Sequence, residues 1–231
     1  MYFEHAQEIW TEFPELAAGA VVVDGITAGA DLEPRIGPLY DQARSRLAGG
    51  PESELPEIQA WRRTFAKMGL KPTQYRCASE ALLRRFKKEG ELPRIHPLID
   101  ICNAVSLATA IPIAVFDRSQ IAEHLTVRRA TGEETYQTFS DEIEHPEPGE
   151  VVFADAQRRA HARRWTNRQS GLSAIRPGTA SALVVSEALH AGAADDVRRL
   201  VETVCAELEA GWPGASPKPA LLSAASPRFT F

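Results

Sequence analysis

Residues Leu92–Asp117, LPRIHPLIDICNAVSLATAIPIAVFD, constrain the fold of this chain more than any other stretch, because they join an apolar helix to a short strand across a proline break. Proline at 97 suits the first turn of a helix, where a missing N–H removes no intrahelical bond. Leu98, Ile99, Ile101, Cys102, Val105 and Leu107 surround the axis, so the spacing predicts a helix buried on most sides. Asp100 and Asn103 share a face of that helix, and buried polar groups there need a backbone partner or a ligand. Ile111-Pro112-Ile113 stops the helix, and Ile113–Phe116 reads as a strand ending at Asp117.

Around this segment the pattern changes from helical to extended. The β-branched run Gly19–Ile26 predicts an early strand. Helical spacing follows over Pro34–Leu47, Pro56–Met68 and Ala78–Lys88, each closed by glycine. Short strands are predicted over Leu125–Ala130, Thr135–Phe139, Val151–Ala154, Ala162–Trp165 and Ala182–Ala188, then a last helix over Ala193–Ala210. Helices first and short strands later argue for an α+β fold. Residues 212–231, rich in Pro, Ser and Ala, read as an extended or mobile tail.

Composition narrows the function classes. With 231 residues, 44% of them hydrophobic, the chain can bury a sizeable core. A formal charge of −5 gives no general attraction to polyanions, so a nucleic-acid partner requires a local basic patch, and neither DNA nor a membrane is expected as a partner. Cys77, Cys102 and Cys205 cannot all pair, which points to a reducing compartment. Zinc-ligand spacing is absent, and neither a metal nor another cofactor is expected. The N-terminus MYFEHAQEIW lacks the features of a signal peptide and no apolar run is long enough to span a membrane, so the expected location is the cytoplasm.

Two segments concentrate ligand-capable groups. Arg84, Arg85, Lys87 and Lys88 end the Ala78–Lys88 helix, with Arg76 just upstream. They are either a solvated helix end favoured by the dipole or a tRNA phosphate patch. Arg163-Arg164-Trp165-Thr166-Asn167-Arg168-Gln169-Ser170 sets a tryptophan among arginines and amides, suited to stacking a base and holding phosphate or carboxylate. Its bland alternative is an edge strand and turn. The acidic stretch Asp141–Glu150 reads as a solvated turn.

The order Pro97, hydrophobic residues, Asp100, Asn103, Pro112 and Phe116-Asp117 resembles the B3/B4 domain of the bacterial phenylalanyl-tRNA synthetase beta subunit. The resemblance runs from about Trp61 to Leu189 and is sharpest over Pro93–Asp117. It implies layered β-sheets with flanking helices and a small pocket between two halves. On this basis residues 56–211 form the B3/B4-like domain, with residues 1–55 expected to join it. The synthetase domain hydrolyses tyrosine wrongly attached to phenylalanine tRNA. The resemblance implies that the pocket is lined here by Cys102, where the family has Thr, and by Asn103. It places Ala114 where the family carries a pocket-facing His, and the Arg163–Ser170 segment where the family has a glycine-rich loop. A family glutamate that reads the tyrosine hydroxyl falls at about Val185, with Glu187 two residues on and so on the same side of a strand.

The reading that follows is a trans-acting aminoacyl-tRNA deacylase, taking an aminoacyl-tRNA with a small amino-acid-like ligand in the pocket. Asn103, Gln169 and Glu187 are its expected catalytic residues. Cys102, Ala114, Arg164, Trp165, Asn167, Arg168 and Ser170 are its expected binding residues. An aminoacyl-tRNA-dependent transferase and a non-enzymatic tRNA or amino-acid binding module remain open alternatives, and the sequence does not decide whether the chain is catalytic.

Overall fold

Two sheets, stacked face to face, bury the β-branched runs of this chain. The computed structural model describes residues 1–231. Its elements are β1 (Tyr2–His5), α1 (Gln7–Glu12), β2 (Ala17–Asp24), α2 (Glu33–Ala48), α3 (Pro56–Lys67), α4 (Ala78–Glu89), α5 (Pro97–Thr109), β3 (Ile113–Asp117) and β4 (His124–Arg129). There follow β5 (Tyr136–Gln137), β6 (Ile143–Glu144), β7 (Val151–Asp155), β8 (Ala160–Arg163), β9 (Arg168–Gln169), β10 (Ser181–Ala188), α6 (Ala193–Gly211), β11 (Lys218–Leu222) and β12 (Arg228–Thr230).

The fold is α+β. A six-stranded sheet has the order β12-β1-β4-β7-β8-β9, a four-stranded sheet the order β11-β2-β10-β3, and β5 and β6 form a small pair. Only β1 and β4 run parallel; every other strand pair is antiparallel. Strand β10 pairs along its whole length with β2, from Ser181↔Asp24 to Ala188↔Ala17, and on its other side with β3. It is buried at every position after Ser181, as expected of a strand covered on both faces.

The two covers are identifiable. Helix α6 packs on β2 and β10, α5 packs on α6 and β3, and α2 packs on α5, so the helices form a layer on one face of the four-stranded sheet. On its other face lies the six-stranded sheet, with Phe116 of β3 meeting Phe153 of β7 at 5.5 Å between ring centroids. The side chain of Ser186 and the bare face of its partner Gly19 point toward α6. Strand alternation then turns Val185 and Glu187 the opposite way, into the space between the sheets.

Of the two readings of the C-terminal segment, extended or mobile, the structure shows the extended one, paired into both sheets. The segment supplies β11, which pairs with β2, and β12, which pairs with β1. The cause is the backbone rather than composition: β2 and β1 would otherwise leave sheet edges with unpaired N–H and C=O groups. The N-terminal β1 and α1 were not expected, whereas α2 to α6, β2, β3 and β10 fall within a residue or two of the predicted spans. The predicted strand Ala162–Trp165 is shifted to Ala160–Arg163, which releases Trp165 into a turn.

Gly19 sets how closely α6 approaches β2. A Cβ added there lands inside contact distance of Val201 and 2.9 Å from a methyl of Val197. Gly19→Ala is expected to destabilise the protein by about 1–3 kcal/mol through overpacking. Val201→Ala in the same background should recover part of the loss, and urea unfolding of the three variants checks this.

Candidate functional site

Between the sheets lies a cavity of about 60 Å³, which at roughly 10–15 Å³ per water holds a few waters or one small group. Its apolar walls are Ile113 and Ala114 of β3, Val185 of β10, Phe153 of β7 and Ala162 of β8. Its polar lining comes from Glu187 and from Thr166, Asn167, Arg168 and Gln169 in and after the β8–β9 turn. Ala78, at the start of α4, and Pro112, just after α5, close the rim.

The turn that brings most of these groups together is strained. Arg163 pairs with Arg168 across the hairpin, and both Arg164 (φ 48°) and Trp165 (φ 56°) adopt left-handed backbone. Three anchors hold it. The Arg163 guanidinium lies on the Glu150 carboxylate through two 2.8 Å bonds and on Glu144 at 2.6 Å. The Arg164 N–H donates to Glu150 at 3.1 Å. The Thr166 carbonyl accepts from the Ala78 N–H at 2.8 Å, and Asn167 Nδ2 donates to the Arg76 carbonyl at 2.7 Å. The acidic stretch expected as a solvated turn is therefore the counter-charge of this hairpin, with Glu144 also meeting Arg168 at 3.1 Å.

The left-handed turn drives the Trp165 indole inward. It is fully buried, edge-on to Trp61 at 5.1 Å and to Phe13 at 4.9 Å. This corrects the expectation of a stacking platform on a recognition surface: the ring is core, and it borders the cavity from within. Its Nε1–H donates to Glu187 Oε1 at 2.8 Å, and His5 Nε2 meets the same oxygen at 2.6 Å. Glu187 is 2% exposed, and its Oε2 has no hydrogen-bond partner within the protein. His5 comes from β1, so the N-terminal strand reaches the floor of the pocket. Nothing in its sequence context marks it, because β1 is too short for a periodic signal.

Of the expected site residues, the structure gathers Ala114, Trp165, Asn167, Arg168, Gln169 and Glu187 around one cavity. Gln169 bridges the sheets by donating from Nε2 to the Val115 carbonyl at 2.7 Å. Four expected residues lie elsewhere. Cys102 and Asn103 sit on α5, whose contacts are with the helix layer and β3, and neither lines the cavity. Burial pushes the Cys102 thiol up to about 12, as for a core residue. Ser170 is fully buried and donates to the Gln137 carbonyl at 2.7 Å. Arg164 turns outward, its guanidinium 4.9 Å from the centre of the Tyr75 ring. Asp100, on α5, accepts from the Ile95 N–H at 2.9 Å and so fixes the chain entering that helix.

The basic residues expected at tRNA are largely paired. Arg84 and Lys87 share Glu52 at 3.4 and 3.9 Å, Arg85 meets Glu89 at 2.8 Å, and Arg76 meets the buried Glu80 at 3.4 Å. Lys88 is exposed and makes no ion pair.

No imidazole or thiol lines the cavity. A Ser–His–Asp array does occur nearby, with His161 Nδ1 at 2.8 Å from Ser173 Oγ and Nε2 at 3.1 Å from Asp155 Oδ2. All three are at most 3% exposed, so no substrate reaches the serine. Burial raises the Asp155 carboxyl, but hydrogen bonds from His161, Arg159 and backbone N–H groups outweigh it and hold the group well below the usual carboxylate range. The array tethers β7 to β8 and to the segment after β9.

A family model for the B3/4 domain matches residues 60–202. The chain belongs to the B3/4 domain family. Among solved structures it is similar to an N-terminal fragment of the phenylalanyl-tRNA synthetase beta-subunit from Pyrococcus horikoshii, at 10% identity and a TM-score of 0.43, over 52% of this chain and 40% of that one. No curated protein matches the chain. The cavity lies within the family match except for the His5 contact beneath Glu187, since β1, β2, β11 and β12 lie outside the match.

Glu150 ties the pocket's turn to pH. Burial alone raises its carboxyl, but the hydrogen bonds from Arg163 and the charges of Arg163 and Arg164 lower it on balance below the ordinary 4.5. A depressed carboxylate contributes stability that is complete above its unfolded value and is lost as pH falls through the folded one. Unfolding stability should therefore drop as pH falls below 4.5. Glu150→Gln, which leaves the buried Arg163 with Glu144 as its remaining carboxylate, should cost about 1–3 kcal/mol near neutrality and flatten that acid slope. Urea unfolding of both proteins at neutral and acid pH measures it.

Proposed function

We propose that this chain is a trans-acting deacylase that hydrolyses the ester of an aminoacyl-tRNA at the cavity between its sheets. The observation that carries the reading is the lining itself: a small apolar recess with one buried carboxylate at its floor and two amides at its rim. Such a recess suits an aminoacyl group whose side chain enters it while the ester stays at the mouth. Membership of the B3/4 family supports the same reading.

The chemistry demanded of the protein is modest. An aminoacyl ester is already reactive, so holding it beside an ordered water supplies much of the acceleration. Water adds to the carbonyl carbon, the bond to the ribose oxygen breaks, and that oxygen leaves with a proton that originates from the water. The free oxygens of Gln169 and Asn167 are placed to orient the water or the substrate ammonium, since each amide turns its nitrogen to a backbone carbonyl. Arg164, which makes no ion pair, and Arg168, shared with Glu144, are the cations of the pocket turn that an RNA backbone would meet on a chain of net charge −5.

One observation favours transfer as a second reading. Ala114 lines the cavity where an imidazole would stand if the resemblance were complete, so no imidazole is there to orient a water. An aminoacyl-tRNA-dependent transferase would pass the acyl group to a small amine or hydroxyl in place of water.

Incubation with a panel of correctly and incorrectly charged tRNAs tests the proposal. Selective loss of one aminoacyl ester is expected, with release of free amino acid. Gln169→Ala and Glu187→Gln should each slow it tenfold or more. Conjugated products with little free amino acid would establish transfer, and stability of every ester alongside salt-sensitive tRNA binding would reduce the protein to a binding module.

A further inference from the structure

The cavity has a size and a polarity that together specify what enters it. Its volume of about 60 Å³ is well under the roughly 150 Å³ of an apolar cavity that takes up benzene. The narrowing has a structural cause, because the buried Trp165 indole stands as one wall where the turn folds inward. The polar lining holds Arg168, which is engaged by Glu144, and Thr166, whose Oγ1 is buried without a partner, beside three groups with acceptors to spare. Gln169 Nε2 is turned to the Val115 carbonyl and Asn167 Nδ2 to the Arg76 carbonyl, which leaves their oxygens free. Glu187 Oε1 is occupied by Trp165 and His5, which leaves Oε2 without a partner. A buried carboxylate oxygen without a partner calls for a ligand that brings a donor to it.

His5 decides which way the carboxylate faces. Its ring is 1% exposed, set against Phe3 at 5.2 Å and Trp10 at 5.0 Å between centroids. Donation to Oε1 requires a hydrogen on Nε2, and Nδ1 is buried without a hydrogen-bond partner. Two donors on one oxygen, from two elements packed independently, fix the Glu187 rotamer and aim Oε2 away from them.

Resting on the reading of this cavity as the aminoacyl site, we propose that it selects an amino-acid side chain smaller than a phenyl ring and ending in a hydrogen-bond donor, the serine and threonine class, with His5 as the positioning residue for the acceptor Glu187. Threonine and valine differ almost only in that donor, and tyrosine has the donor but exceeds the space.

The test is calorimetric titration of the full chain with amide-linked 3′-aminoacylamino-3′-deoxyadenosines carrying seryl, threonyl, valyl and tyrosyl groups, beside the charged-tRNA assay. The threonyl compound should bind roughly tenfold to a hundredfold more tightly than the valyl one, the worth of one hydrogen bond to a charged acceptor. The tyrosyl compound should bind more weakly than either hydroxylated small one. His5→Leu should collapse the threonyl-to-valyl ratio toward one and His5→Gln, which keeps a donor, should restore part of it. A merely structural His5 would lower the melting temperature and leave the ratio unchanged. If His5→Leu does not fold, Trp165→Phe, which removes the other donor, should reduce the same ratio. Equal affinity for threonyl and valyl, tightest binding by tyrosyl, or no binding by any compound while a charged tRNA is still deacylated would overturn the proposal. Intact threonyl-over-valyl discrimination with every charged tRNA left untouched would instead sustain it and remove the hydrolase reading.

Discussion

A carboxylate that is 2% exposed between two packed sheets has to be met by donors, and the answer to Glu187 ties this structure together. An uncompensated charge in that position would cost several kcal/mol by the usual scale for buried ions. One donor, Trp165, arrives from a hairpin whose backbone is left-handed at two successive residues. The other, His5, arrives from a strand whose place is secured by parallel pairing to β4 and antiparallel pairing to β12. Removing either partner leaves the carboxylate half answered, so the termini and the hairpin contribute to one local requirement.

The same logic explains the charges around the turn. Left-handed backbone at Arg164 and Trp165 carries a conformational cost of the order of 1–3 kcal/mol per residue. It persists because the surroundings over-determine it: Glu150 holds both the Arg163 side chain and the Arg164 N–H, and the start of α4 holds Thr166 and Asn167. The acidic stretch Asp141–Glu150 thus serves as an internal counter-charge. Much of the arginine content that suggests nucleic-acid binding when read along the chain is consumed in this way, which leaves Arg164 as the one arginine of the turn without an ion pair.

What the sequence made legible follows from periodicity. The helices α2 to α6 carry a 3.6-residue repeat with glycine or proline at their ends, and β2, β3 and β10 carry unbroken β-branched runs, so their spans were predictable. Glu187 shares its side of β10 with Val185, as strand alternation requires, and both line the cavity. Strands β1, β11 and β12 were not legible, since what holds them is main-chain pairing to an edge, which leaves no side-chain signature. Trp165 was misread for a related reason. Its neighbours are arginines and amides, and only the tertiary pairing of those neighbours with Glu144, Glu150 and backbone carbonyls turns the indole into core. Cys102 and Asn103 were assigned to the pocket by resemblance alone, and no contact of α5 brings them to it.

The inward tryptophan also changes what kind of selectivity is available. A wide apolar pocket separates ligands by single methylenes, a difference worth only about 1–3 kcal/mol, whereas a site with a buried, oriented hydrogen-bonding group rejects a ligand that leaves it unpaired far more strongly. By filling the space between the sheets, Trp165 forgoes room for a large side chain, and by donating its N–H to Glu187 it helps fix the acceptor that the proposed selectivity calls on. Trp165 thus bears on both the size of the cavity and, with His5, the orientation of its carboxylate. A substitution that relaxes the turn carrying Trp165 would change both together, so the selectivity of the cavity is coupled to the ion pairs of Glu150, which never touch it.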